Sequence, residues 1–234
     1  MRLYIIRHAD PDYVRDTITE AGHKEARALS ERLMREELDE IYSSPMGRAQ
    51  ATAAYTAEAL RKAVEILPWT HEISDAAIEI EGYGRMAAWD APGELVLENE
   101  ADLEASGWME TPWSRQVGLM AHYQRIAEAS DAFLLQKGYR RVGKRYEVVG
   151  ASEKKIALFC HGGFGLCLLS HLLRIPVVYM WAGFWLPPSS VTTILFETRS
   201  ERWALPRCLS MSDMSHLHAA GLPQSFSGLL GNHY

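Results

Sequence analysis

Leu3-Tyr4-Ile5-Ile6-Arg7-His8 is an apolar run that ends on a fixed cation and an imidazole. Open α/β sheets bind their ligands just beyond the carboxyl ends of their strands, so this strand delivers both groups to that position. A guanidinium forks onto phosphate oxygens through two parallel bonds, and a neutral imidazole is a nucleophile near neutral pH. Standing alone, the pair reads as a surface turn. Two later segments change that.

In Ile41-Tyr42-Ser43-Ser44-Pro45-Met46-Gly47-Arg48-Ala49 a short β-prone run breaks at Ser-Ser-Pro. Ala49, Thr52, Ala53, Thr56 and Leu60 then fall on one helical face. Arg48 thus stands in a helix's first turn, where the macrodipole disfavours a cation unless an anion is bound nearby, and the stretch reads as an anion pocket. The third segment is the apolar strand Lys155-Ile156-Ala157-Leu158-Phe159-Cys160, which runs into His161-Gly162-Gly163-Phe164 and a helix from Leu166 to Leu173. A second histidine lies at a strand end, beside glycines that permit close backbone approach to a ligand.

The rest of the chain alternates strand and helix patterns. The periodicity predicts a strand over 2–7, a helix over 20–37 capped by Thr19, a strand over 39–43, a helix over 47–62 and a strand over 64–67. The first helix carries Gly22, Ala26, Leu29 and Leu33 on one face. An acidic stretch over about 70–113 precedes a helix over 114–136 with Met120, Tyr123, Ala127, Ser130 and Leu134 at helical spacing. Tyr139 to Val149 reads as a hairpin or a loop, strands follow the late helix near 190–197 and 202–209, and the tail from Gly221 is irregular. No internal repeat and no linker divides the chain, so residues 1–234 read as one domain.

Composition narrows the function classes. With 234 residues, 47% of them hydrophobic, the chain can bury one substantial core. A net charge of −6 gives no electrostatic case for nucleic acid or an anionic membrane. Cys160, Cys167 and Cys208 lack metal-ligand spacing, and the first two fall in apolar segments, so buried thiols in a reducing cytoplasm are expected. No apolar stretch reaches membrane-span length, and the first residues enter a strand directly instead of forming a signal peptide. His216 and His218 lack ligand spacing and read as tail histidines contacting backbone.

Taken in order, these segments resemble the histidine phosphatase superfamily, also called phosphoglycerate-mutase-like. Arg7-His8-Ala9 is similar to its Arg-His-Gly opening, with Ala for Gly. Thr17-Ile18-Thr19-Glu20-Ala21-Gly22 resembles its Leu-Thr-x-x-Gly helix start, and Ser43 to Ala53 its Ser-Ser-Pro-x-x-Arg-Ala-x-x-Thr-Ala element. Cys160-His161-Gly162-Gly163 resembles its late His-Gly motif, and the likeness spans residues 1 to about 218. Trp69-Thr70-His71-Glu72, Trp89-Asp90-Ala91-Pro92 and Ser215-His216-Leu217 are similar to stretches of a bacterial branch. The resemblance implies a three-layer α/β/α sandwich with a mostly parallel central sheet and a lid-like insertion, here about 70–113, that forms part of the substrate pocket.

It also implies roles. Arg7 and Arg48 would neutralise and orient the phosphoryl oxygens, with His161 as a third donor. His8 would attack phosphorus in line and carry the phosphoryl group before water removes it. For that it must be neutral, its second nitrogen donating to a backbone carbonyl. No step needs a metal or cofactor. The departing alcohol needs a proton, and Glu72 after Trp69 best matches the family's acid, with Glu79, Glu81 and Asp90 as alternatives. The family often places Asn six residues beyond the nucleophile, where Val14 stands here. Ala9 in place of Gly suggests backbone that needs no positive φ.

The insertion bears on substrate choice. From Glu72 to Glu110 there are eleven acids (Glu72, Asp75, Glu79, Glu81, Asp90, Glu94, Glu98, Glu100, Asp102, Glu104 and Glu110) against Arg85 alone. A lid so charged would repel highly anionic substrates, and Trp69, Trp89, Trp108 and Trp113 would offer flat surfaces to an apolar or cationic leaving group. Alternatively the carboxylates face solvent and the tryptophans are core. The leading reading is a metal-independent phosphomonoesterase acting on a small phosphorylated metabolite, without nucleic-acid or membrane partners. A phosphoryl mutase would need further cations for a second anionic group, and a non-catalytic phospho-ligand binder would not need to retain His8 and a candidate acid.

Overall fold

Leu3 and Ile5 point into one core while Tyr4 and Ile6 point into another, and all four are at most 2% exposed. A strand whose successive side chains are all buried must be covered on both faces, which is why its sequence reads as a continuous apolar run. The computed structural model describes residues 1–97, 107–109, 111–150, 152–229 and 231. On one face Tyr4 and Ile6 meet Leu29 and Leu33 of the helix Glu20–Leu33 and Ala53 of the helix Gly47–Leu60. On the other, Leu3 and Ile5 share a core with Phe133 and Leu134 of the helix Leu119–Gln136 and with Leu168 and Leu172 of the helix Gly162–Leu173.

Eight strands lie between these layers, in the spatial order Val64–Ile66, Glu40–Ser43, Lys155–Cys160, Arg2–Arg7, Val191–Thr198, Trp203–Asp213, Arg145–Val148, Tyr139–Val142. The first four run parallel and the remaining pairings are antiparallel. The fold is thus α/β, with parallel strands flanked by helices and an antiparallel half extending the sheet. The segment Tyr139 to Val149, readable as hairpin or loop, is a hairpin that supplies the outermost two strands of that half.

The topology makes a crevice. The helices following Arg2–Arg7 and Glu40–Ser43 pack on one face, whereas the helix following Lys155–Cys160 packs on the other. Chains therefore leave neighbouring strand ends in opposite directions, the arrangement that opens a ligand site. The register pairs Arg7 with Cys160 and Phe159 with Ser43, so the next residues along each strand, His8, His161 and Ser44, emerge side by side.

Several local expectations are corrected. The helix expected over 114–136 is two helices, Pro112–Gln116 and Leu119–Gln136. Gly118 between them sits at φ 62°, a left-handed conformation that cannot continue a right-handed helix. Its buried face is Leu119, Ile126, Ser130, Phe133 and Leu134, rotated from the expected stripe. Within the insertion, Ala77–Ile80 and Gly84–Ala87 form a hairpin. Two short helices, Val177–Gly183 and Ser215–Ala219, were not legible in the periodicity. Glu98, Glu100, Asp102, Glu104 and Glu110 lie outside the described residues.

All three cysteines are free, with Cys160 and Cys167 buried. Burial pushes the Cys167 thiol up to about 12, so it stays protonated. Among the described residues no helix is long and apolar enough to cross a membrane.

Candidate active site

His8 is 2% exposed and held through its backbone: its N–H donates to the Cys160 carbonyl at 2.9 Å, and its carbonyl accepts from the Ser189 N–H at 3.0 Å. Its Nδ1 lies 2.8 Å from the Ala9 carbonyl oxygen. A carbonyl only accepts, so Nδ1 carries the hydrogen, and in the neutral ring Nε2 keeps its lone pair. Neutrality is enforced by burial first and by the charges of Arg7 and Arg48, which together hold the pKa well below 6.5 despite the Ala9 bond. Ala9 is itself fixed, its N–H donating to the Thr52 hydroxyl at 2.9 Å. It is absent from the positive-φ positions, so alanine fits where glycine is not required.

Two guanidiniums flank this ring. Arg7 donates from Nη1 to the Leu186 carbonyl at 2.6 Å and from Nη2 to the Ser227 carbonyl at 2.9 Å. Arg48 donates from Nη1 to the Asp16 carboxylate at 2.6 Å and stacks over Tyr13 at 5.5 Å. The anion expected beside the first helical turn is thus supplied partly by the chain itself. Asp16 accepts both from Arg48 and from the Gly47 N–H at 2.7 Å, which satisfies a free donor of the helix Gly47–Leu60. Asp16 gave no signal in sequence. Val14, at the position where the family often has Asn, is 97% exposed, so that contact is absent.

His161 is fully buried, its ring centroid 5.3 Å from that of His8. Its Nε2 lies 2.7 Å from the Ser44 hydroxyl. If that hydroxyl donates, the ring proton stays on Nδ1 as a further donor. Burial, then the neighbouring His8 and Arg48, holds the His161 pKa well below 6.5. Arg7 Nε, Arg48 Nε and His161 Nδ1 are all buried without a hydrogen-bond partner among the described residues. Orphaned buried N–H groups are rare in folded proteins, and two guanidinium N–H groups with an unpartnered ring nitrogen around one imidazole fit an anion site.

Glu72 lies in a different part of the chain yet joins the same cluster, 7% exposed. Its Oε1 accepts from the Ile73 and Phe164 N–H groups at 3.0 and 2.7 Å, and its Oε2 from the Gly163 N–H at 3.1 Å. It therefore covers the start of the helix Gly162–Leu173, tying the insertion to the strand end that carries His161. Burial raises its pKa, against the pull of these three bonds and of Arg7. Of its rivals, Glu79 and Glu81 sit exposed on the insertion hairpin, whereas Asp90 is half-buried and pushed up to about 6 by burial against Arg7.

These groups open into a cavity of about 620 Å³, lined by Arg7, His8, Arg48, Glu72 and Asp90; the buried His161 is not among its lining residues. The insertion also contributes Ser74, Ala87 and Trp89. Two other tryptophans belong to the core, Trp69 packed on Phe133 and Phe164 and Trp108 buried against Tyr123, and the Trp113 side chain lies outside the described residues. Asp75, Glu79, Glu81 and Glu94 are exposed, so only Glu72 and Asp90 of the described insertion acids face the cavity. Further aromatic wall comes from Tyr13 and from Trp181, Phe184 and Trp185, the last three on and just after the helix Val177–Gly183, a cluster visible in sequence but not singled out. The tail also reaches the site through Ser227, Gly228 and Leu229, and Phe226 stacks on Trp185 at 5.8 Å.

The His-Gly-Gly sequence has a more specific cause than ligand approach. A Cβ on Gly163 would overlap the Trp89 ring, with its Cε3 at 2.6 Å, whereas Gly162 faces the Arg7 guanidinium at 3.6 Å. Gly163 therefore makes room for Trp89. Gly163→Ala should displace that ring, lowering stability by about 1–3 kcal/mol and weakening substrate binding. Thermal unfolding and KM check this, and an unchanged KM would contradict it. His216 bonds the Ser189 hydroxyl at 3.1 Å through its Nε2, so its partner is a side chain rather than backbone.

Comparison with known proteins gives concordant matches. The description of the histidine phosphatase superfamily (branch 1) fits residues 3–208. Phosphoserine phosphatase 1 of Hydrogenobacter thermophilus is 34% identical over 173 residues, covering 68% of this chain and 75% of that protein. Among solved structures, phosphoserine phosphatase from Entamoeba histolytica with 3-phosphoglyceric acid has a TM-score of 0.62 at 20% identity, covering 92% of this chain and 98% of that one. Mycobacterial glucosyl-3-phosphoglycerate phosphatase has a TM-score of 0.58 at 24% identity, covering 89% and 97%. Both structures are likenesses of fold.

Proposed function

The chain belongs to the histidine phosphatase superfamily, and on that premise we propose that it hydrolyses small phosphomonoesters without a metal, through a phosphohistidine on His8. The observation that carries this reading is the pair of unpartnered buried guanidinium N–H groups, with the unpartnered His161 Nδ1, around a neutral imidazole whose Nδ1 is tied to a carbonyl. Such an arrangement receives a dianion. It leaves one nitrogen lone pair free to attack the anion's phosphorus.

The phosphate enters between Arg7 and Arg48, whose charges offset the repulsion between dianion and nucleophile. His8 Nε2 forms the N–P bond as the ester P–O bond breaks, and Glu72 gives its proton to the leaving alkoxide. Glu72, now a carboxylate, takes a proton from water, whose oxygen attacks phosphorus and frees His8 and inorganic phosphate. The relatives named phosphoserine and glucosyl-3-phosphoglycerate phosphatases support a small phosphorylated metabolite as substrate. Within that class, the aromatic cavity wall favours a neutral, cationic or aromatic non-phosphate part.

A panel of phosphomonoesters assayed in EDTA tests this. Phosphate release should persist in the chelator for at least one ester. Turnover that EDTA removes, or isomerisation without phosphate release, would overturn the proposal.

A further inference from the structure

We infer that the catalytic cavity binds an organic cation at Asp90, so that the preferred substrate is the phosphate monoester of an amino or quaternary-ammonium alcohol. This rests on the phosphatase reading and narrows its substrate. Asp90 borders the cavity half-buried, and no hydrogen bond or ion pair from any described residue holds its carboxylate. Trp89, Trp181, Phe184 and Trp185 line the same space, with the Trp89 and Trp181 ring centroids 6.5 Å apart at 66°. Arg7 acts on this carboxylate through its charge but forms no ion pair with it, and a half-buried carboxylate in an aromatic-walled cavity is costly until a cation pairs with it. A ligand ammonium supplies that pair and lies over indole faces, whose quadrupoles attract cations within about 6 Å.

The cavity is correspondingly poor in groups for a second anion. Among the described residues its only cationic lining groups are Arg7 and Arg48, both at the phosphate end. Arg85, the one Lys or Arg between Glu72 and Glu110, is exposed and does not line the cavity. A phosphorylated amino acid would satisfy Asp90 through its amine but leave its carboxylate without a partner. The decarboxylated amino alcohol satisfies both ends.

The test compares kcat/KM for phosphocholine with that for 3,3-dimethylbutyl phosphate, its uncharged carbon isostere, in the wild type and in Asp90→Asn. Phosphoethanolamine against phosphoserine is the second pair. The wild type should favour the cationic member of the first pair by about tenfold, and Asp90→Asn should cut that preference to about twofold. Phosphoethanolamine should be turned over faster than phosphoserine. Equal turnover of phosphocholine and its isostere by the wild type, or a preference that Asp90→Asn leaves intact, overturns the inference. If Asp90 acted instead as the proton donor, Asp90→Asn would slow both esters alike and the ratio would not move. Hydrolysis of the isostere in EDTA keeps the phosphatase reading alive when the cation subsite fails; hydrolysis of none of the four esters ends both.

Discussion

His8→Ala should lower kcat on every phosphomonoester by on the order of 10⁴-fold or more. No neighbour can substitute. The ring of His161 is fully buried, with its Nε2 engaged by Ser44, and its centroid stands 5.3 Å from that of His8. The fold should survive, because the backbone bonds from His8 to Cys160 and from Ser189 to His8 do not involve the side chain. An intact unfolding transition beside a lost rate is therefore the expected pair of results. Brief incubation of wild type with a ³²P-labelled ester should trap a phosphoramidate, labile in acid and stable in alkali, that the variant lacks. The pH profile carries a second expectation. Burial and Arg7 keep His8 unprotonated below its ordinary pKa of 6.5, so once the ester's own ionisation near pH ~6 is divided out, kcat/KM should hold down through pH 6.5. An acid limb at or above 6.5, or a variant within tenfold of wild type, would remove His8 from the nucleophile's role.

Much of this was legible in sequence because the phosphate end is built by local rules. A strand that ends at Arg7 and hands on to His8, another that ends just before His161 and a helix with Arg48 in its first turn each announce their position by periodicity. Parallel pairing of the three strands then brings their ends together. The antiparallel half of the sheet was less readable, since Tyr139 to Val149 alternates too weakly to separate hairpin from loop. Contacts made by backbone were invisible: the carbonyls of Leu186 and Ser227 that orient Arg7 carry no residue-type signal. Asp16 escaped because its value lies in a loop conformation, φ 48°, that turns its carboxylate onto Gly47 and Arg48. The tryptophans of the acidic stretch could not be sorted by composition either. Trp69 and Trp108 went to the core, whereas Trp89 stayed at the cavity because Gly163 leaves a slot for its ring.

Glu72→Gln should separate substrates by their leaving groups. An alkoxide cannot depart without a proton, so alkyl phosphates should lose on the order of 10³-fold in kcat. A nitrophenolate departs unaided, and p-nitrophenyl phosphate should lose less than about tenfold. Ionisation sets the pH signature. Burial raises the Glu72 pKa above 4.5 against three backbone N–H bonds that favour the carboxylate, and an arriving phosphate dianion raises it further. Wild-type turnover of alkyl esters should therefore fall as pH rises through that raised value, a limb the Gln variant lacks. Stability moves in the same direction. The folded state holds the Glu72 proton more tightly than the unfolded chain, so this group's contribution is lost as pH climbs from 4.5 through the folded pKa. Gln is not a neutral replacement, however: its amide would turn an N–H toward the N–H groups of Gly163 or Phe164, at a cost of about 1–3 kcal/mol. Rate ratios between the two esters cancel that structural loss, because both are measured on the same folded variant. Equal slowing of alkyl and nitrophenyl esters would show that Glu72 only anchors the helix start, and Asp90, the other cavity acid, would then be the group to test.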